Sequence, residues 1–267
     1  MGLFGKIFDK KTCAICGGEI GLLGNRKLED GDCCKECARK LSVWFDDRRH
    51  STVDEIKAQL EYRENNKKAV KKFHTTRVIS ADSWNVLLDE DAANFIVTKN
   101  PRKLEEENPD VISYSDLTGC RMDIDEDQEE IKREVKHGDE TSYVSYNPPR
   151  YKYEYKFHYK INVNNPYFDD MEFDLNDWTV EIEPMVSSGG FLAGSSSSDP
   201  KQSPEFEKYN SLGGEITKAL NGARTSSRQE QVKAKTTKVM VCPFCGAQTE
   251  VGADGKCEYC GGYIAQS

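Results

Sequence analysis

The chain has 267 residues, a formal charge of −9 and 37% hydrophobic residues, which suffices for one ordinary core with smaller units beside it. The negative charge lies in residues 77–205, so the middle of the chain is unsuited to binding nucleic acid. No apolar stretch approaches the ~20 residues that span a bilayer, and no secretory signal pattern is present. We therefore expect a cytoplasmic protein with reduced cysteines.

The first eleven residues, Met1–Lys11, have the pattern of a short amphipathic helix. Leu3, Phe4, Ile7 and Phe8 share one helical face, and lysines lie near the other. We favour a tail that docks onto the neighbouring cysteine unit, because a single short helix binds membranes weakly. Peripheral binding at the inner face of the membrane stays open.

A first set of four cysteines follows as two C-x-x-C pairs: Cys13, Cys16, Cys34 and Cys37. This spacing predicts a tetrahedral zinc site with no open coordination position, and hence a structural rather than a catalytic ion. Cys33 lies next to Cys34. The spacing to Cys37 favours Cys34 as the ligand and makes Cys33 a small buried apolar residue, with the choice between them left slightly open.

A helix is predicted after this set, over residues 51–76. Ser51 is placed to cap it, with Asp54 as the reciprocal partner. Its apolar stripe is interrupted by the polar run Glu61–Lys68, which indicates a connector that projects from the cysteine unit. His50 is interpreted as a capping or solvent-facing residue and not as a metal ligand.

From Arg77 the pattern is that of antiparallel strands. The predicted strands are Val78–Ser80, Trp84–Leu88, Asn94–Thr98, Val111–Tyr114, Gly119–Ile124, Tyr151–Val163 and Met171–Glu183. The last of these loses its alternation at Asn176-Asp177, which predicts a bulge or bend. The aromatic residues of Tyr151–Tyr159 are predicted to pack in the core and across strands, and not to stack on bases.

Two features of this region are assigned no chemistry. Cys120 is interpreted as an inert buried thiol, because no histidine or lysine lies near it in sequence. The cluster Asp123–Asp127 lacks the spacing of an EF-hand loop and is interpreted as a solvated acidic hairpin. A flexible Gly/Ser-rich stretch, Ser187–Ser203, then precedes an amphipathic helix over Pro204–Ala223.

The second set of cysteines is close to the end of the chain: Cys242, Cys245, Cys257 and Cys260. Its two C-x-x-C pairs predict a second closed zinc site, and the glycines that follow three of the four pairs in the chain, Gly17, Gly246 and Gly261, ease the turn around the metal. Two structural zinc ions are thus expected. Iron–sulfur or redox dithiol chemistry and disulfides are the alternatives.

Three resemblances add to this interpretation. The segments Met1–Phe8, Cys13–Ile20, Leu28–Gly31 and Trp44–Phe45 together resemble an uncharacterised bacterial zinc-binding family of unknown function, from whose pattern Cys33 departs, since an aliphatic residue is expected there. The order of about seven strands and one helix resembles a pleckstrin-homology-like (PH-like) or GRAM-like barrel; a lipocalin-like or sandwich arrangement is the competing topology. The last cysteine unit is similar to the bacterial zinc ribbon. None of these resemblances implies an activity.

The expected architecture is α+β, with five segments in chain order: a four-cysteine zinc module (1–50), a connecting helix (51–76), a PH-like β domain with its closing helix (77–223), a linker (224–238) and a zinc ribbon (239–267). No nucleophile elbow, Walker loop, dinucleotide fingerprint or H-E-x-x-H pair occurs. We therefore expect a non-enzymatic binding or adaptor protein with a protein partner and no small-molecule substrate. Peripheral membrane association and nucleic-acid binding by a ribbon, helped by Lys233, Lys235 and Lys238, are the alternatives.

Overall fold

The protein is represented by a computed structural model that describes residues 11–184, 199–236, 238–251 and 255–264. Most of the predicted amphipathic tail at Met1–Lys11 and most of the Gly/Ser-rich stretch at Ser187–Ser203 lie outside these residues. Within the described part, no helix has both the length and the apolar character needed to cross a membrane.

The N-terminal unit contains two small hairpins and one helical turn: β1 (Lys11–Thr12) with β2 (Glu19–Ile20), β3 (Asn25–Lys27) with β4 (Asp32–Cys34), and α1 (Lys35–Ala38). Among the described residues, its core consists of seven buried side chains, of which three are cysteines: Cys13, Ile20, Leu28, Cys33, Cys37, Leu41 and Ile56. A core this small does not hold a fold together without a covalent or metal crosslink.

Helix α2 spans Val53–Lys72 and begins one residue later than predicted. The Thr52 side chain accepts a hydrogen bond from the Glu55 N–H at 3.3 Å, and the Glu55 carboxylate accepts one from the Thr52 N–H at 2.7 Å. The predicted cap at Ser51 with Asp54 is therefore wrong. Ser51 with Asp54 and Thr52 with Glu55 both have residue types that occur in caps. A capping box favours glutamate over the shorter aspartate, because the glutamate side chain reaches back to the N–H of the capping residue.

The predicted connector, α2, leaves the cysteine unit as expected, but one face of it is buried along its whole length. Its buried residues recur at alternating intervals of three and four, as one helical face: Ile56, Gln59, Arg63, Asn66 and Val70. The middle of this face is polar, so the stripe is invisible to a measure of hydrophobicity alone. The helix packs along the molecule and connects the N-terminal unit to the β domain.

The first sheet of the β domain is a four-stranded antiparallel meander: β5 (Arg77–Ser80), β6 (Asn85–Asp89), β7 (Asn94–Thr98) and β8 (Ile112–Ser113), with α3 (Leu104–Glu107) before β8. These strands agree with the predicted ones to within two residues at each end. The indole of Trp84 lies next to β6 and contacts that of Trp44 at a centroid distance of 5.1 Å. The N-terminal unit is thereby packed on this sheet.

The second sheet is built around one long strand. Its members are β9 (Leu117–His137), β10 (Glu140–Val163), β11 (Asp170–Asp174) and β12 (Val180–Ile182). β10 pairs with β9 on one side and with both β11 and β12 on the other. Alternate β10 residues, Tyr155, Phe157, Tyr159 and Ile161, have no exposed surface. The predicted half-buried alternation is confirmed. The predicted acidic hairpin is correct in its solvation, since the acidic side chains of Asp123–Asp127 are exposed on the β9–β10 hairpin, but these residues lie inside β9 and the chain turns at Gly138-Asp139.

The predicted bend at Asn176-Asp177 is confirmed, because it separates β11 from β12. The Asn176 side chain is fully buried, and it makes hydrogen bonds with the backbone of β10 at the break between β11 and β12. It accepts a hydrogen bond from the Phe157 N–H at 2.8 Å, and donates to the carbonyls of Tyr155 at 3.2 Å and Trp178 at 2.8 Å. The buried backbone of β10 is thus satisfied where the neighbouring strand breaks.

Helix α4 (Pro204–Thr236) covers the core between the two sheets and runs beyond the predicted end at Ala223, into the segment predicted as a linker. Phe206 packs edge-on against Tyr155 and Phe157, at centroid distances of 4.9 and 5.2 Å. The α+β class is confirmed. Among the described residues the two sheets share no strand pairing, so their closure into a PH-like barrel stays a prediction, as do the domain boundaries.

The start of α4 is held to the sheets by Asp82. Its carboxylate accepts hydrogen bonds from the Tyr209 hydroxyl at 2.8 Å, the Asp177 N–H at 3.1 Å and the Lys208 ammonium at 3.3 Å. Burial raises the pKa of Asp82, but these donors outweigh it and hold the pKa below its usual value.

We expect Asp82→Asn to weaken the docking of α4 by about 1 kcal/mol at pH 7. A carboxyl with a lowered native pKa stabilises the fold above its unfolded pKa and ceases to do so as the pH falls through its native pKa. Hydrogen exchange of the first turns of α4 should therefore differ between variant and wild type at pH 7, and converge below pH 3.8. A difference that persists in acid would contradict a charge-based role.

The C-terminal unit consists of one hairpin, β13 (Lys238–Val241) with β14 (Gln248–Val251), and an isolated bridge between Lys256 and Tyr263. Among the residues whose burial the structure describes, its buried apolar cluster has three members, Cys242, Cys257 and Ile264. This core is even smaller than that of the N-terminal unit. The same argument for a metal crosslink applies to it.

Candidate metal centres

The structure brings the eight predicted cysteines together as two separate clusters. Within each set the four Sγ atoms lie within 4.8 Å of one another: Cys13, Cys16, Cys34 and Cys37 in the first, and Cys242, Cys245, Cys257 and Cys260 in the second. Sulfur–sulfur distances of 3.6 to 3.8 Å are found across the clusters. A tetrahedron with Zn–S bonds of 2.3 Å has edges of about 3.8 Å, so both sets fit a four-coordinate ion.

These distances exclude the disulfide alternative for the structure described. All ten cysteines are free, and a disulfide requires sulfurs about 2.05 Å apart. The clusters therefore have metal-site spacing rather than crosslink spacing.

Three of the four C-x-x-C pairs share one backbone turn. The first cysteine of each accepts a hydrogen bond at its carbonyl from the glycine four residues on, at 2.8 Å, and those glycines, Gly17, Gly246 and Gly261, have φ of +72°, +73° and +69°. This left-handed conformation is strained for any residue with a Cβ. The predicted role of these glycines in turning the chain around the site is confirmed.

The fourth pair, Cys34 and Cys37, is built on the start of α1 instead of a glycine turn. The Cys34 Sγ accepts a hydrogen bond from the Cys37 N–H at 3.4 Å, and the Cys34 N–H donates to the Cys13 Sγ at 3.2 Å. Backbone N–H groups that point at sulfur favour the thiolate form. The first cluster thus combines a turn with a helical start, whereas the second combines two turns.

Cys33 and Cys34 are separated clearly by the structure. Cys34 belongs to the cluster, while Cys33 is fully buried and its thiol contacts the Cys34 carbonyl at 3.4 Å. Burial raises the pKa of Cys33 to about 12, so its thiol stays protonated at neutral pH. The interpretation of Cys33 as a small apolar residue agrees with this placement.

In each cluster the pKa of one cysteine is lowered toward the neutral range. Burial raises the pKa of Cys13, but hydrogen bonds from the backbone of Cys16, Cys34 and Ile15 lower it to about 6. Cys257 has the same balance, with backbone donors in its own turn, and its pKa is also lowered to about 6. The thiolate is the form that ligates metal, so each cluster is prepared for a first metal–sulfur bond.

The segment that contains the first cluster matches a known family model. A family model described as "Domain of unknown function (DUF4428)" matches residues 12–59. The match begins in β1 and ends in the second turn of α2, so it covers the first cluster and the start of α2. It agrees with the resemblance to an uncharacterised family seen in the sequence of this segment. No curated protein and no solved structure matches the chain at a significant level.

The remaining predicted positions lie outside both clusters. His50 is exposed, and its Nδ1 lies 2.6 Å from Asp47 Oδ1, as expected of a solvent-facing residue. Cys120 lies on β9, where it is half-buried and packs against the core of the β domain, so it is less enclosed than predicted.

A buried polar junction at the middle of α2 was not predicted. The Arg63 guanidinium donates to Asp110 Oδ1 at 2.7 Å, to the Lys40 carbonyl at 3.2 Å and to the Asn108 carbonyl, while the Ser42 hydroxyl donates to Asp110 Oδ2 at 2.7 Å. One arginine thus ties the N-terminal unit to the β domain. In the sequence, the buried face of α2 could be recognised from residues spaced at intervals of three and four. It could not be recognised from hydrophobicity, because the middle of this face is polar.

Exposed apolar side chains on the two cysteine units were also missed. Phe244, Tyr259 and Tyr263 on the C-terminal unit are 70%, 72% and 68% exposed, and Leu22, Leu23 and Val43 on the N-terminal unit are 85%, 91% and 76% exposed. Phe244 and Tyr259 occupy the position before the second cysteine of a C-x-x-C turn. The sequence alone did not predict this exposure, because Ile15 occupies the same position in the first C-x-x-C pair and packs against the core of the N-terminal unit.

Proposed function

We propose that this chain is a non-enzymatic binding or adaptor protein in which two structural zinc ions fold the end units. The observation that carries the proposal is the pair of four-cysteine clusters, each within the span of a single tetrahedral ion. Four thiolates fill the coordination of zinc and leave no position for a water or substrate. The metal then has a folding role, and recognition falls to the surfaces that the folded units display.

We propose zinc as the ion of each cluster because it takes four thiolate ligands in tetrahedral geometry and fills a purely structural role. Soft thiolate sets suit both zinc and iron–sulfur centres. The sulfurs lie 3.6 to 3.8 Å apart, which fits one ion and is too close for a cluster of several iron atoms. A single iron ion in the same four thiolates is the redox alternative, and an element analysis distinguishes it from zinc.

The recognition surfaces proposed are the apolar tips of the two cysteine units. We define the C-terminal tip as Phe244, Tyr259 and Tyr263, and the N-terminal tip as Leu22 and Leu23 in the turn between β2 and β3. Large apolar side chains that stay exposed on a small unit mark interaction sites, and aromatic residues are enriched among binding hot spots. The partner is proposed to be a protein with an apolar site, bound in the cytoplasm. We also propose that the protein is bacterial and that the middle of the chain forms a PH-like barrel.

The test is in-cell photo-crosslinking with a probe placed beside each tip, in the full chain. Phe244→Ser with Tyr259→Ser should lose the proteins captured from the C-terminal tip, and Leu22→Ser with Leu23→Ser those captured from the N-terminal tip. Trp178→Ser is the matched control, because Trp178 is 85% exposed but lies on the β domain. An unchanged set of captured proteins in both double variants would contradict the proposal.

Nucleic-acid binding by the C-terminal unit is the second candidate, favoured by the same aromatic tip. Exposed aromatic rings are stacking platforms for single-stranded bases. A labelled single-stranded oligonucleotide should then bind at low salt and lose binding in the Phe244→Ser/Tyr259→Ser variant. Absence of binding at low salt would leave the protein-binding proposal alone. The membrane alternative rests on residues 1–11, most of which lie outside the described part, and on a PH-like face of the β domain, and it stays a prediction.

A further inference from the structure

Strand β9 has a long unpaired edge. Along Leu117–His137 it pairs with β10 and, among the described residues, with no other strand. The distal part of this hairpin, which we call the arm (Gln128–Tyr151), extends past the last pairing of β10 with β12 at Tyr153. Nearly all its side chains are exposed or half-buried. A two-stranded ribbon in water is marginally stable without a further strand or surface against it.

The two edges of the arm differ. The β10 edge is interrupted by a register shift between Ser145 and Arg150, where Pro148 and Pro149 lie. Proline has no N–H to donate, and such bulges and prolines protect sheet edges from further pairing. The β9 edge of the arm contains no proline and keeps a regular run of backbone donors and acceptors. Of the two, only the β9 edge is open to another strand.

The charges along the β9 edge are arranged symmetrically about Ile131. Glu129 and Glu130 precede it, and Lys132 and Arg133 follow it. None of these four side chains makes an ion pair or a side-chain hydrogen bond within the part of the chain that the structure describes. Edge strands are commonly protected by charge. Here, however, the edge has a negative half and a positive half. An antiparallel copy of the same sequence places each half opposite the half of opposite charge, so the charges do not repel it.

We propose that the β9 edge of the arm pairs with the same edge of a second copy of this chain, antiparallel, with Ile131 opposite Ile131. In this register Glu130 faces Lys132 of the second copy and Glu129 faces Arg133, and by symmetry each contact occurs twice. Cross-strand pairs of opposite charge stabilise a sheet, and like charges destabilise it. The two hairpins become one four-stranded antiparallel sheet.

The charge order selects this register over its neighbours. A two-fold axis perpendicular to the sheet requires one residue to face its own copy. Centring on Glu130 places two carboxylates opposite each other, and centring on Lys132 places two ammonium groups opposite each other. With Ile131 at the centre, the next positions outward, Gln128 opposite Glu134 and Asp127 opposite Val135, introduce no like-charge pair. The inference is independent of the proposed zinc and adaptor roles, because no cysteine takes part.

The test measures the mass of the full, metal-loaded chain by sedimentation velocity over a wide concentration range. Wild type should reach twice the 30.2 kDa of one chain. The variants E129K/E130K and K132E/R133E make the centre of the edge entirely basic or entirely acidic. Each alone should dimerise at least about tenfold more weakly, because every attractive contact becomes repulsive.

Two further samples distinguish a loss of charge pairing between copies from damage to the fold of one copy. An equimolar mixture of E129K/E130K with K132E/R133E should form a heterodimer, since the all-basic edge faces the all-acidic one. The four-fold swap E129K/E130K/K132E/R133E, which restores the net charge of the wild type, should dimerise as the wild type does. A wild-type mass of 30.2 kDa at every concentration, or a double variant that self-associates like wild type, would overturn the proposal.

Discussion

Replacing Cys34 with serine should release one of two metal ions and unfold the first cysteine unit. Its core holds only a few residues besides the cysteines, so the metal supplies most of the folding free energy, on the order of 10 kcal/mol for such sites. Native mass spectrometry should show one zinc instead of two, and proteolysis should begin within residues 11–50. The β domain, with its own core, should stay protected.

Cys33→Ala is the matched control for this variant, because Cys33 adjoins Cys34 but lies outside the cluster. It should keep two metal ions and lose only the packing of one small buried side chain, about 1 kcal/mol. If instead Cys33→Ala loses the metal and Cys34→Ser keeps it, Cys33 is the ligand. A Cys34→Ser protein that remains fully folded with two ions would contradict the structural role of the metal.

Replacing Asp110 with alanine should destabilise the whole chain by about 3–5 kcal/mol, since it leaves the buried Arg63 guanidinium without its counter-charge. The side chains of Arg63 and Asp110 are 7% and 1% exposed, and their contact is 2.7 Å. Burial raises the pKa of Asp110, and Arg63 and the Ser42 hydroxyl oppose that rise. The measurement is chemical denaturation followed by the fluorescence of Trp44 and Trp84, whose rings contact each other where the N-terminal unit packs on the first sheet.

The double variant Arg63→Met/Asp110→Leu provides the control. Replacing both partners of a buried ion pair by apolar residues is far less costly than removing one, so the double variant should be more stable than Asp110→Ala. Arg63→Lys tests geometry at constant charge and should remain destabilised, because an ammonium cannot contact Asp110 and the carbonyls of Lys40 and Asn108 together. Equal stability of Asp110→Ala and wild type would show that the junction does not hold the units together.

The metal clusters could be predicted because the information is local. Two residues between paired cysteines, and a glycine after them, specify the turn without reference to the rest of the chain. The strand β10 could also be predicted, because Tyr155, Phe157 and Tyr159 alternate with polar or charged residues. In the structure this aromatic face is buried. The bend at Asn176 was visible as a break in that alternation, although the hydrogen bonds its side chain supplies were not.

The parts that sequence reasoning missed depend on long-range partners. Arg63 and Asn66 look like a solvated stretch of helix until Asp110 and Asn108 are placed against them. The extension of β9 past Ile124 was hidden for a related reason. A hairpin arm in which most side chains face solvent has no hydrophobic alternation, and its pairing with β10 is set by register and not by burial.

The central claim is that two closed four-thiolate zinc sites fold the end units. The most direct test is elemental analysis of protein purified without added metal, combined with thiol titration before and after chelation. Two zinc ions per chain are predicted, with the eight cluster cysteines protected until the metal is removed. Iron, a single ion per chain, or cluster thiols that react freely before chelation would contradict it.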